Sequence, residues 1–239
     1  MKKTAIMQPY FFPYIGYWQL INAVDTFVIL DDVNFIMRGW INRNNILING
    51  KPYLFSIPLD KPSQNKLICD TKLKLPEIEK LNFLKTIQLA YKKAPYFNDF
   101  YPILEKLILT DDDDLTNFIH ESLVKVCEYL GLKTKFLRSS NIEKDNSLKA
   151  EDKIIEICKK LDTDTYINLA GGKELYNNNH FEEENIKLRF INIDFENIQY
   201  KQFKNEFIQG LSFLDIIMFN SKEEIKNLLN QYTLVKGNE

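Results

Sequence analysis

The sequence predicts an α/β protein built on a parallel sheet with a β-hairpin attached and a helical middle segment. Three observations predict it. The first thirty or so residues read strand, helix, strand, the pattern of a βαβ unit. Asn49-Gly50 stands between two apolar runs, the dipeptide preferred in a tight hairpin turn. The second half of the chain again alternates short apolar runs with amphipathic stretches.

The elements follow in order. Thr4 to Met7 is a short apolar strand, and the stiff, aromatic QPYFFPYIG follows it, with Pro9 and Pro13 each fixing φ. A helix from about Gly16 to Ala23 leads to a strand over Thr26 to Leu30, which ends on Asp31 and Asp32. The segment from Ile41 to Leu59 reads as the hairpin. Residues 60–76, with Pro62 and Pro76, read as an irregular loop. From Glu77 to Leu130 the pattern is helical: Leu81, Leu84, Ile87 and Tyr91 recur at three- and four-residue spacing, as do Ile119, Leu123, Val126 and Leu130. Pro95 and Pro102 are expected to punctuate these helices. Strands are expected over Thr134 to Leu137, Thr165 to Leu169 and Lys187 to Ile193. Helices are expected over Ala150 to Leu161, Ser212 to Phe219 and Ser221 to Gln231. No internal repeat or linker divides the chain, so residues 1–239 are read as one unit, with 77–130 as a helical subdomain within it.

Composition narrows the function. An apolar fraction of 45% supports a substantial core, and no apolar run approaches the roughly 18 residues of a membrane span. The N-terminal MKKTAIMQPYFF has no continuous apolar segment of the secretory kind, which points to a cytoplasmic protein. A formal net charge of −2 gives no basic face for nucleic acid. Cys69, Cys127 and Cys158 are odd in number and far apart; Cys127 and Cys158 are expected as reduced core residues. With two histidines, a multi-histidine metal site is not expected.

Ligands of parallel α/β sheets collect at the carboxyl ends of the strands, and three clusters are expected there. In the first, Gln8, Tyr10 and Tyr17 flank a rigid loop. Tyr14-Ile15-Gly16-Tyr17 occupies the place of the His-x-Gly-His of nucleotidyl transferases and class I aminoacyl-tRNA synthetases, which suggests a related, HUP-type nucleotide-binding architecture. Tyrosine, with a pKa of about 10, brings no positive charge to a phosphate, so the same adenylyl-transfer chemistry is not expected. In the second, Asp31 and Asp32 point to opposite sides by the strand period; general base, amine acceptor, Mg²⁺ ligand and plain turn capping are all open to them. In the third, Trp40, Asn42 and Arg43 offer an aromatic platform, an amide and a planar cation suited to phosphate or carboxylate. Gly171-Gly172, after a strand, lets a ligand approach the backbone. Asp111 to Asp114 is expected to complement a helix dipole, and His120 and His180 are expected to be structural or idle.

QPYFFPYIGYWQLINAVDTFVILDDVNF, with WINRN, IPL, YINLAGGKELY, FEEENIKLRFI, YKQF and LSFLDIIMFN, resembles the WbqC-like proteins over nearly the whole chain. Asn168 departs from the serine that family commonly carries before its glycine pair. Genes for similar proteins lie in bacterial O-antigen and other surface-polysaccharide clusters, often beside enzymes making 4-amino-4,6-dideoxy sugars. The resemblance therefore implies N-acylation, in one version aminoacylation, of a nucleotide-linked amino sugar. Asp31 or Asp32 would hold and deprotonate the amine, Arg43 would bind phosphate or carboxylate, and Gln8, Tyr10, Tyr17, Trp40, Asn42, Asn168, Gly171 and Gly172 would bind substrate. An ATP-dependent version would bring Mg²⁺; an acyl-thioester version would not. The alternative is a non-catalytic sugar-nucleotide-binding or scaffold protein of the same pathway.

Overall fold

A computed structural model describes residues 1–204 and 206–237. The chain opens with β1 (Lys3–Met7), α1 (Ile15–Ala23) and β2 (Thr26–Ile29). The two strands pair in parallel, Thr4 opposite Thr26 and Met7 opposite Ile29. The hairpin is β3 (Arg43–Ile48) and β4 (Lys51–Ser56). Its turn places Asn49 at φ 51° and Gly50 at φ 73°, the two positive φ values of a type I′ turn, whose twist matches that of the strands.

Residues 60–76 are largely the irregular loop that their polarity suggests, with two short strands at its ends. β5 (Leu59–Asp60) and β6 (Lys72–Leu73) pair antiparallel across them; two-residue strands are too short to show a period of two. The helical middle divides into α2 (Glu77–Tyr91), α3 (Phe97–Ile108) and α4 (Leu115–Leu130). Two expectations are corrected there. Leu81 is exposed, because the buried stripe of α2 runs through Lys80, Phe83, Leu84, Ile87, Ala90 and Tyr91. Pro102 lies inside α3 rather than at a boundary, so the helix forgoes one N–H bond and continues. The acidic run does serve the next helix: Asp114 caps α4 by accepting from the Asn117 N–H at 2.8 Å.

After β7 (Lys135–Arg138) come α5 (Ala150–Lys160), β8 (Thr165–Leu169), α6 (Asn178–Glu183) and β9 (Lys187–Ile193). The chain closes with α7 (Phe213–Phe219), α8 (Lys222–Leu229) and β10 (Tyr232–Lys236). His180 sits on α6, its Nδ1 against Glu151 Oε1.

The main sheet has six strands in the order β10-β9-β8-β1-β2-β7. All pairs are parallel except β10 with β9. Counted along the chain, the parallel strands stand third, second, first, fourth, fifth, the doubly wound order. Strand side chains alternate between the two faces. Ala5, Phe27, Ile29, Ile167, Leu169 and Ile191 pack with α1, α2, α3, α4, α7 and α8. Ile6, Val28, Tyr166, Leu188 and Phe190 pack with α5 and α6. Because the winding reverses between β1 and β8, the helices leaving those strands go to opposite faces. A crevice forms where they part, at the carboxyl ends of β1 and β8. Among the described residues, no helix is long and apolar enough to cross a membrane.

Candidate functional site at the carboxyl edge of the sheet

The loop leaving β1 is fastened at every turn. Phe11 and Phe12 are buried; Phe11 stacks on Phe118 of α4 at 4.9 Å and Phe12 meets Phe100 of α3 edge-on at 6.2 Å. The Phe12 carbonyl accepts from Asn44 Nδ2 and Ser212 Oγ, both at 2.8 Å. The two tyrosines of Tyr14-Ile15-Gly16-Tyr17 part ways. Tyr17 is fully buried and donates its hydroxyl to the Gln8 carbonyl at 2.8 Å, so it supports the loop from within. Tyr14 faces a cleft. Gly16 is closely approached by side chains: a Cβ there would lie 2.3 Å from Ile193 Cδ1 and 2.7 Å from the Tyr14 ring, so one of them would have to shift. Burial raises the hydroxyl pKa of Tyr10, Tyr14 and Tyr17, so all three are neutral hydrogen-bonding groups.

The cleft has a volume of about 400 Å³ and is lined by Tyr10, Pro13, Tyr14, Trp40, Asn44, Phe195, Gln209 and Gly210. It gathers the loop after β1, the approach to the hairpin, and the segment that follows β9. Of the residues expected from sequence, it contains Tyr10 and Trp40. Gln8 stands just below, at the end of β1, its Oε1 in a long 3.4 Å contact with the Tyr10 hydroxyl. A larger hollow of about 460 Å³ lies between α3 and α4, lined by Ile103, Leu107 and Phe118 with Lys106, Glu121 and Lys125. It is a groove between helices that reaches the strand edge only at its rim, where Asn117 accepts from Arg138. The carboxyl-edge cleft is the stronger candidate because the fold directs its strand ends and loops there.

The acidic pair is the second part of the edge. Asp31 is fully buried. Its Oδ2 accepts from Arg138 Nε and Ser140 Oγ, both at 2.8 Å, and its Oδ1 from the Ser140 N–H at 2.9 Å. Arg138 also donates to Asn117 Oδ1 at 2.7 Å. Asp31 therefore ties β2 to β7 and to α4. The side chain of Asp32 is 11% exposed, with Lys144 Nζ 2.7 Å and Lys153 Nζ 2.9 Å from its Oδ2 and the Ser139 hydroxyl on its Oδ1. Burial works against its charge, but Lys144, then Ser139 and Lys153, outweigh it and hold the carboxyl below its ordinary pKa. This donor set does not fit Mg²⁺, since two ammonium groups occupy the oxygen that would bind the ion. Among the described residues, no group of three or more His, Cys, Asp or Glu side chains is arranged to hold a metal.

The remaining expected residues serve local structure. Asn42 Nδ2 donates to the Ile57 carbonyl at 2.7 Å and closes the hairpin base. Arg43 donates through Nε to the Gly39 carbonyl at 2.9 Å and through Nη2 to the Arg38 carbonyl. Its guanidinium lies 5.8 Å from the centre of the Trp40 ring. Neither side chain is brought to the acidic pair. Asn168, buried at the end of β8, donates to the hydroxyls of Tyr166 and Tyr176 at 2.8 and 3.1 Å. Gly171 and Gly172 lie in the 3₁₀ turn after β8, on the β8 side of the crevice; a Cβ at Gly171 would meet open space.

Sequence reasoning missed Arg138, Ser139, Ser140, Lys144 and Lys153, which surround the acidic pair from over a hundred residues away. It also missed Phe195 and Gln209 in the cleft. One signal was available for the first group: Arg138-Ser139-Ser140 directly follows an expected strand and so had to fall at its carboxyl end.

A family model described as WbqC-like protein family matches residues 8–227. The chain is also similar to a protein of Mycobacterium tuberculosis (strain ATCC 25618 / H37Rv) described as uncharacterized protein Rv1507c. The two are 25% identical over 231 residues, covering 96% of this chain and 98% of the relative. No solved structure matches the chain.

Proposed function

The chain belongs to the WbqC-like protein family, and from that premise and the geometry of the carboxyl edge we propose that it is a transferase of surface-polysaccharide biosynthesis that N-acylates a nucleotide-linked amino sugar. One observation carries the proposal: the aromatic cleft opens at the strand ends of a doubly wound sheet, the place where this architecture receives nucleotides. In the reaction, the sugar amine attacks an activated acyl carbon. A C–N bond forms, the bond to the leaving group breaks, and the nitrogen gives up a proton. Of the acidic pair, Asp32 is the one with any exposure. It is a weak base while both lysines hold it. An anionic substrate group that draws Lys144 or Lys153 away would raise its basicity where the amine must lose its proton. An aminoacyl group is one version of the acyl donor.

A second reading, a non-catalytic sugar-nucleotide-binding protein, is favoured by one observation. Both carboxylates are engaged by protein partners, and the thiols of Cys69, Cys127 and Cys158 are pushed by burial to about 11, 12 and 12, which leaves little thiolate for nucleophilic chemistry. The test is to incubate the purified protein with dTDP- and UDP-linked amino sugars, ATP with free amino acids, and acyl thioesters, and to weigh the sugar product. A mass gain of one acyl group supports the transferase. Tight binding without turnover by any donor supports the second reading, and no binding refutes both.

A further inference from the structure

We propose that Trp40 and Phe195 form a stacking site for the nucleobase of the nucleotide-linked substrate, and that Arg43 is the positioning residue that holds Trp40 for it. The proposal rests on the functional reading above and names which part of the substrate the cleft takes.

Trp40 and Phe195 are 48% and 42% exposed although both line a concave cleft. They come from segments far apart in sequence that meet there, and each leaves a large apolar ring partly in water. A planar ligand covers such surface, and every base has a face on which an aromatic ring stacks. Among the described residues, the lining of the cleft carries no charged side chain, so it suits the neutral base rather than the phosphates.

Arg43 is the second observation. Two of its donors are taken by the carbonyls of Arg38 and Gly39, the residues just before Trp40, and the guanidinium sits within cation–π range of the indole. It braces the turn that presents Trp40 instead of waiting for an anion. A platform fixed in advance loses little freedom on binding. Gln209, whose amide makes only a 3.4 Å contact with the Phe195 carbonyl, is placed to read the base edge, since an amide offers both a donor and an acceptor.

Intrinsic fluorescence tests this directly. The chain has two tryptophans, and Trp18 is fully buried against Phe213 with ring centres 4.7 Å apart; solvent-exposed emission therefore comes from Trp40. Titration with dTDP-, UDP- and GDP-linked sugars should quench that red-edge emission, and Trp40→Phe should abolish the quenching. By calorimetry, Trp40→Ala and Phe195→Ala should each raise Kd roughly ten- to a hundred-fold. Arg43→Ala should weaken binding and alter the wild-type emission of Trp40 in the free protein, while the salt dependence of binding stays unchanged; a lost phosphate contact would flatten it. Sugar nucleotides that bind Trp40→Ala and Phe195→Ala as tightly as wild type overturn the stacking site and leave the functional reading standing. Failure of the wild-type protein to bind any of them overturns both.

Discussion

Asp31 and Arg138 provide the sharpest separation of scaffold from site. Asp31 is fully buried and Arg138 is 21% exposed, and their 2.8 Å contact joins two adjacent strands across 107 residues of sequence. Removing one partner of such a pair leaves a charge without its counter-ion, at about 3–5 kcal/mol when both are buried. The partial exposure of Arg138 sets the expectation at the lower end, so Asp31→Asn should cost about 3 kcal/mol. At about 2–4 °C per kcal/mol for a chain of this size, the melting temperature should fall by roughly 6–12 °C. Arg138→Gln alone should cost a similar amount, and the double variant should cost much less than the sum. Urea unfolding of the wild type, both single variants and the double variant gives the coupling, expected at about 2 kcal/mol. A coupling below about 0.5 kcal/mol would mean that Asp31 is free of the pairing with Arg138 that its burial requires.

Three further outcomes follow. Gly16→Ala should destabilise by about 1–3 kcal/mol through overpacking against Ile193 and the Tyr14 ring, and Ile193→Ala in the same chain should restore part of the loss in thermal unfolding. Asp215 accepts from Tyr91, Tyr200 and Gln202 at 2.8, 2.7 and 2.7 Å, yet burial pushes its carboxyl above the usual range. The native state thus keeps this proton after the unfolded chain has lost it. From its ordinary pKa of about 4 up to the raised folded value, Asp215 makes stability fall as pH rises, and the penalty is complete above that value. Urea titrations across this window should show that component of the slope missing in Asp215→Asn. Labelling with a thiol reagent at pH 8 should be slow for all three cysteines in the native protein and complete in urea, since all three thiols titrate at about 11 or above.

Local signals carried most of the fold. The apolar runs of β1, β2, β8 and β9 and the Asn49-Gly50 turn are each legible within a few residues, and all formed as expected. β10 was missed because an edge strand such as Tyr232–Lys236 is held by pairing to β9 rather than by its own pattern. Leu81 misled because it shares a helical spacing with buried residues while standing on the outer face of α2. The site was legible only in part, for the same reason. That Asp31 and Asp32 lie at a strand end can be read from the sequence; that Arg138, Ser140, Lys144 and Lys153 engage them depends on β7 lying beside β2. Arg43 has the chemistry of an anion binder, and two of its five donors go to carbonyls four and five residues away.

The proposed function places a nucleotide-linked amino sugar at the carboxyl edge of the sheet. A crystal structure of the protein with a dTDP- or UDP-linked amino sugar tests it most directly. Ligand density is expected in the cleft of Tyr10, Tyr14, Trp40 and Phe195, with the sugar directed toward Gln8 and Asp32 at the ends of β1 and β2. Density in the groove between α3 and α4 with the cleft empty would contradict it.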